Sequence, residues 1–233
     1  MATGQAKRSA IITGFRGSLG RSVAQAFLEA GYQVAGIARP APSSNPKPAG
    51  LLELSADLLD LASIGRSVDT ILDRFSKIDV LAHLVGGFEG GKYIVDTDEA
   101  ALDRMLDLNL RTAFNIFRIV VPHMRSRRHG RIIAVGSRTA VDAQALTGVY
   151  GASKAALVSL VLTLARENID QGITANVVLP STIDTPANRA AMPQADPSKW
   201  VRPEHVASLI LWLASEGASQ TTGAAIPIYG AES

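Results

Sequence analysis

Thr13-Gly14-Phe15-Arg16-Gly17-Ser18-Leu19-Gly20 places three glycines between a short apolar run and a longer, helically patterned one. The run before it, 9–13, reads as a buried strand. Residues 19–30 read as a helix stopped at Gly31, and 32–38 as a second strand, so the stretch is the turn of a βαβ unit. Working outward, the alternation continues. Further strands are expected at 51–54, 80–85, 131–135, 174–179 and 225–228, and helices at 61–75, 98–108, 110–127, 149–169 and 203–214. Each strand is a near-continuous apolar run, which predicts a parallel sheet covered on both faces.

The fold class that follows is α/β: a Rossmann-like, doubly wound, mostly parallel seven-stranded sheet with helices on both faces. At 233 residues with 47% hydrophobic and 19% charged content, the chain suits one soluble globular domain spanning 1–233. The proline- and serine-rich stretch 39–50 is expected to be a surface loop, because the forty or so residues before it are too few for a core of their own. A net charge of +2 says little about partners. The absence of cysteine excludes disulfides, thiolate metal sites and cysteine nucleophiles. Residues 1–8 lack the apolar core of a secretion signal, and no later run is expected to reach the roughly eighteen apolar residues of a membrane helix. A cytoplasmic protein without membrane or nucleic-acid partners is the expectation. The cations Arg125, Arg127, Arg128 and Arg131 read as a solvated helix end favoured by the dipole.

Glycines 14, 17 and 20 sit where a strand must turn sharply into a helix, let a pyrophosphate approach the backbone, and allow close helix–sheet packing. A second cluster lies far downstream. Tyr150 and Lys154, in Tyr150-Gly151-Ala152-Ser153-Lys154, share a helix face at i and i+4. An ammonium near a phenol stabilises phenolate, so the tyrosine pKa is expected to fall from its usual value of about 10. Ser137 closes the fifth strand and Asn109 sits at an expected interruption between two helical stretches.

The glycine turn, together with Asn109, Ser137, Tyr150 and Lys154, resembles the short-chain dehydrogenase/reductase family over nearly the whole chain. The resemblance implies that Tyr150 passes a proton to or from a carbonyl oxygen while a nicotinamide exchanges hydride with the carbon. It implies that Ser137 hydrogen-bonds that oxygen, and that Lys154 lowers the tyrosine pKa and holds the nicotinamide ribose. Asn109 would hold a relay water behind the lysine. Cofactor contacts are implied for Gly14, Arg16, Gly17, Ser18, Leu19, Gly20, Arg39, Asp57, Leu58, Gly86, Tyr150, Lys154, Pro180, Ile183 and Thr185. Substrate contacts are implied for Ser137, Leu146 and Tyr150, no metal is expected, and 186–202 is expected to form a mobile substrate lid. Family members assemble as dimers or tetramers, so a homo-oligomer, of which a homotetramer is one form, is the expected assembly.

Cofactor preference is read at the end of the second strand, where an acidic residue would bind the ribose 2′-hydroxyl and repel a 2′-phosphate. The strand ends Ile37-Ala38-Arg39, and Arg39 with Arg16 favours NADP(H) over NAD(H). The family's Asn-Asn-Ala-Gly after the fourth strand is replaced by His83-Leu84-Val85-Gly86, for which apolar packing and no catalysis by His83 are expected. Ser181 stands where the family has glycine, which puts the conformation of that loop in question. Asp184-Thr185-Pro186-Ala187-Asn188-Arg189, Met192-Pro193, Trp200 and Gly86-Gly87-Phe88 look like dihydropteridine reductases of the same superfamily. The expected activity is NADP(H)-dependent carbonyl reduction, including 3-oxoacyl thioesters. A dihydropteridine reductase is the second reading, and a non-catalytic nucleotide-sensing scaffold is the reading of another class.

Overall fold

A computed structural model describes residues 7–40 and 48–231. Residues 41–47 of the proline- and serine-rich stretch, and residues 1–6 of the N-terminal stretch, lie outside the described residues. Seven strands form one sheet: β1 (Ser9–Thr13), β2 (Gln33–Ala38), β3 (Leu52–Ser55), β4 (Val80–His83), β5 (Gly130–Val135), β6 (Ile173–Pro180) and β7 (Ala225–Ile228). Their spatial order is β3-β2-β1-β4-β5-β6-β7, and every pairing is parallel.

Alternation along the strands builds two cores. On one face Ile12 and Val34 pack with Val23, Ala24 and Phe27 of α1 (Ser18–Glu29) and with Val206, Ile210 and Leu213 of α7 (Pro203–Leu213). On the other face Ile11, Leu81 and Ile132 meet α2 (Leu61–Phe75), α4 (Thr112–Arg127) and α5 (Gly148–Glu167). Each fully buried isoleucine or phenylalanine contributes about 1.5–3 kcal/mol by leaving water. Because β1 is flanked by β2 and β4, the chain reverses its direction of travel between β1 and β4. Ligands of open α/β sheets gather at the carboxyl ends of strands beside such a reversal.

Three expectations are corrected. The stretches 98–108 and 110–127 are not separated by a break: α3 (Glu99–Leu106) runs through a π turn, Asp107–Arg111, into α4. The extra residue of the π turn rotates Asn109 inward, where it is fully buried. The basic cluster is an exposed helix end at Arg125, Arg127 and Arg128, as expected, but not at Arg131. Arg131 is buried and reaches Glu216 at 3.4 Å, Arg127 meets the buried Asp79 at 3.0 Å, and Arg125 donates to Asn168 at 2.6 Å. Finally, α5 is long and apolar enough by length and composition to cross a membrane, contrary to the reading of the sequence. Here its Leu157, Val158 and Val161 are buried against the sheet, as in the central helix of a globular core.

Candidate active site

Tyr150 and Lys154 occupy the first two turns of α5 and share the face turned toward the ends of β4 and β5. Lys154 is buried, and its Nζ donates to the carbonyl of Val135, the last residue of β5, at 3.0 Å. Burial without a carboxylate partner pushes its amine down to about 8. Room for the amine comes from Gly86: a Cβ there would lie 2.8 Å from Lys154 Nζ and 2.7 Å from Asn109 Oδ1. Ser137 follows β5 and caps a short turn, Arg138–Ala140, with its Oγ accepting from the Thr139 N–H at 3.3 Å and sharing a hydrogen bond with Thr139 Oγ1 at 2.9 Å.

The expectation of a lowered tyrosine pKa is reversed in this structure. Burial raises the Tyr150 phenol above 10, and a hydrogen bond with Ser137 offsets only part of the rise. The phenol therefore stays protonated near neutral pH and is suited to donating a proton. Phe88 stands edge-on to the Tyr150 ring with centroids 4.9 Å apart, while being two-thirds exposed itself.

Asn109 spends its side chain on structure. Its Oδ1 accepts the Gly87 N–H at 2.9 Å, and its Nδ2 donates to the Gly87 carbonyl at 3.0 Å and to Ser153 Oγ at 2.9 Å. It thus ties the glycine loop after β4 to α5 beneath Lys154. After β4, Leu84 and Val85 pack against the two cores and the His83 ring stands edge-on to Phe117 with centroids 5.9 Å apart, as expected, but His83 adds a polar tie. Thr13 Oγ1 accepts the Leu84 N–H at 3.1 Å and shares a hydrogen bond with His83 Nδ1 at 3.0 Å. The other ring nitrogen, Nε2, is buried with no partner among the described residues. Total burial, reinforced by the charge of Lys154, drives the imidazole down to about 3.

The glycine turn fits a dinucleotide phosphate group. A Cβ at Gly20 would lie 2.3 Å from the Gly14 carbonyl oxygen, and Gly14 itself adopts φ +70°. Helix α1 begins after Gly17 with neither a side-chain cap nor an acidic residue in its first turn, which leaves Ser18, Leu19 and Gly20 amides at a positive helix end. Beside this turn Arg16 donates through Nη1 to the Arg39 carbonyl at 2.9 Å and through Nε to Glu53 Oε1 at 3.0 Å, with Nη2 on the same oxygen. Arg39 is exposed.

The other expected contacts are distributed unevenly. Asp57 is exposed, its Oδ1 accepting the Leu59 N–H at 2.9 Å. The Leu58 side chain belongs to the core, and its carbonyl accepts from Asn115 at 2.9 Å. Pro180 ends β6; the Ile183 carbonyl accepts from Asn188 Nδ2 at 2.7 Å, and Thr185 Oγ1 accepts the Asn188 N–H at 3.1 Å. Ser181 needs no positive φ, and its hydroxyl donates to the Tyr229 carbonyl at 2.8 Å. Leu146 has φ +65°, an unfavourable value for a branched residue, and its carbonyl accepts the Gly91 N–H at 2.8 Å, joining the two loops beside Tyr150. In the stretch 186–202, a short helix α6 (Pro186–Ala191) and a turn (Pro197–Lys199) lead to a buried Trp200.

Sequence reading missed Phe88 against Tyr150, Ser153 against Asn109, and Glu53 against Arg16. Ser153 lies three residues after Tyr150, so helical periodicity could have found it. Glu53 becomes visible only through the register that sets it beside Gly36.

Comparison with known proteins agrees with this geometry. The family model described as Enoyl-(Acyl carrier protein) reductase matches residues 14–230. The 3-oxoacyl-[acyl-carrier-protein] reductase FabG of Thermotoga maritima is 30% identical over 235 residues, covering 94% of this chain and 95% of that protein. The 3-oxoacyl-[acyl-carrier-protein] reductase MabA of Mycobacterium bovis is 29% identical, covering 96% and 92%. A crystal structure of an oxidoreductase of the short chain dehydrogenase/reductase family from Burkholderia thailandensis superposes with a TM-score of 0.85 at 30% identity, covering 97% of this chain and 92% of that one.

Proposed function

Since the chain belongs to the short-chain dehydrogenase/reductase family, and so is an NAD(P)-dependent oxidoreductase of carbonyl and alcohol groups, we propose that it reduces a keto group with NADPH at Tyr150. A 3-oxoacyl thioester is the first substrate class, since the reported curated relatives act on that group. The likeness to dihydropteridine reductases is minor beside these relatives. The observation that supports the catalytic reading is the convergence of Ser137, Tyr150 and Lys154 at the ends of β5 and α5.

When bound, the reduced nicotinamide supplies a hydride to the carbonyl carbon. The phenol of Tyr150, kept protonated by burial, donates its proton to the carbonyl oxygen. Ser137 hydrogen-bonds the same oxygen and stabilises the charge developing there. Lys154 holds the ribose hydroxyls with its buried amine, and Asn109 fixes the floor of the site through Gly87 and Ser153. Amides of Ser18, Leu19 and Gly20 hold the pyrophosphate, with Gly14, Gly17 and Gly86 giving clearance. Asp57, Pro180, Ile183 and Thr185 flank the two ends of the dinucleotide. What supports NADP(H) over NAD(H) is Arg39 with Arg16 at the end of β2, a strand that itself ends without an acidic residue. Leu146 and the 186–202 segment border the substrate space, the latter serving as its lid.

Tyr150→Phe is expected to abolish ketone reduction while NADPH binding stays within about threefold, measured by steady-state kinetics and fluorescence titration. Near-normal turnover would falsify the assignment. In the alcohol-oxidising direction the phenol has to be deprotonated, so kcat/KM should climb about tenfold per pH unit through the alkaline range. Reduction should stay flat through neutrality. A cytoplasmic dimer or tetramer completes the reading, and light scattering of the eluting protein checks the assembly; a monomer would refute it.

A further inference from the structure

We propose that Glu53 is a positioning residue for cofactor choice, acting through Arg16; this rests on the NADP(H) reading above. Glu53 lies on β3 directly beside Gly36 of β2. The missing side chain of Gly36 admits the Phe15 ring, since a Cβ there would lie 2.6 Å from it. Phe15 in turn underlies the Arg16 guanidinium, whose carbon is 5.7 Å from the ring centroid. Glu53 takes the Nε and Nη2 side of that guanidinium, and the Arg39 carbonyl takes Nη1. Both partners of the ion pair are about three-quarters buried. The arginine of the glycine turn is thus held over the end of β2, beside the backbone of the second arginine.

The carboxylate could act in either of two opposing ways. It lowers local positive potential, which disfavours a 2′-phosphate, and it also freezes a side chain that otherwise pays to become ordered when a phosphate arrives. Partial burial, a stacking surface and a third anchor at the Arg39 carbonyl make the second effect the larger. Freezing one such side chain in advance is worth about five- to tenfold in affinity. Cofactors without the 2′-phosphate do not call on Arg16 and gain nothing.

Isothermal titration of the whole protein with NADP+, NAD+, 2′,5′-ADP and 5′-AMP tests the idea without turnover. Glu53→Ala is expected to weaken NADP+ and 2′,5′-ADP about five- to tenfold and to leave NAD+ and 5′-AMP within about twofold. Glu53→Gln, which keeps an oxygen acceptor for Arg16, should restore binding to within about twofold of the parent. In an Arg16→Ala background the loss on Glu53→Ala should vanish. A general structural role would instead weaken all four ligands together. Unchanged or tighter NADP+ binding by Glu53→Ala overturns the proposal, as does a larger loss for NAD+. Glu53→Thr, suited to a strand, replaces the alanine variant if that does not fold. A parent protein that binds NAD+ as well as NADP+ sinks the cofactor reading and the proposal with it. A parent that prefers NADP+ with indifferent Glu53 variants sinks the proposal alone.

Discussion

Lys154 is a buried cation whose only hydrogen-bond partner among the described residues is a backbone carbonyl, so the site holds a group that the fold alone would not choose. Its amine titrates near 8 when folded and at 10.5 as a free side chain. Below pH 8 the folded state carries the full burial penalty; between 8 and 10.5 the unfolded state binds more protons, so stability rises with pH; above that the penalty is gone. Lys154→Met should therefore raise stability at pH 7 by about 1 kcal/mol, seen as about 2–4 °C in Tm, while abolishing turnover. The gain should fade above pH 10. A lower Tm at pH 7 would show that the lost bond to Val135 outweighs relief of the charge. At this scale the sequence was a good guide to which side chains lie together and a poor one to their environment. The i, i+4 spacing placed Tyr150 and Lys154 on one face, but spacing carries no information about burial, which raised the phenol instead of lowering it.

At the scale of elements, the site depends on how the loop after β4 passes under α5. Gly86 gives Lys154 its space, and Asn109 reaches both polar groups of Gly87 from a π turn. Gly86→Ala has to displace the amine or the amide, and either shift moves the reacting groups. It is expected to cost about 1–3 kcal/mol of stability and at least about tenfold in kcat/KM, read by thermal denaturation and kinetics. Parent-like values for both would mean that the lysine tail moves aside freely. The strands and long helices were legible because apolar periodicity reports burial directly. The π turn was not, since an extra residue inside a continuous helix leaves the same breaks in pattern as a short loop. Glu53 escaped notice for a related reason: its significance is set by cross-strand register, which no local stretch encodes.

For the whole molecule, the bond between Thr13 and His83 joins β1 to β4 at the centre of the sheet. The imidazole is neutral in the folded state down to about pH 3 but protonates near 6.5 when unfolded. The unfolded chain therefore binds the extra proton between those values, and stability is complete above 6.5 and lost as pH falls. The slope from this group is about 1.4 kcal/mol per pH unit, and His83→Asn should remove it from the pH dependence of urea unfolding. An unaltered slope would mean that other groups dominate acid unfolding. The succession of strands and helices followed from the βαβ repeat and the apolar runs, whereas this central tie arose at a position where the family pattern suggested only a loss. Trp200 offers a different kind of consequence. The chain has two tryptophans, of which Trp212 is about half exposed and Trp200 is buried at the end of the segment 186–202. With Trp212→Phe, the remaining indole becomes a built-in optical gauge: its accessibility to a soluble quencher reports in real time whether that segment is seated.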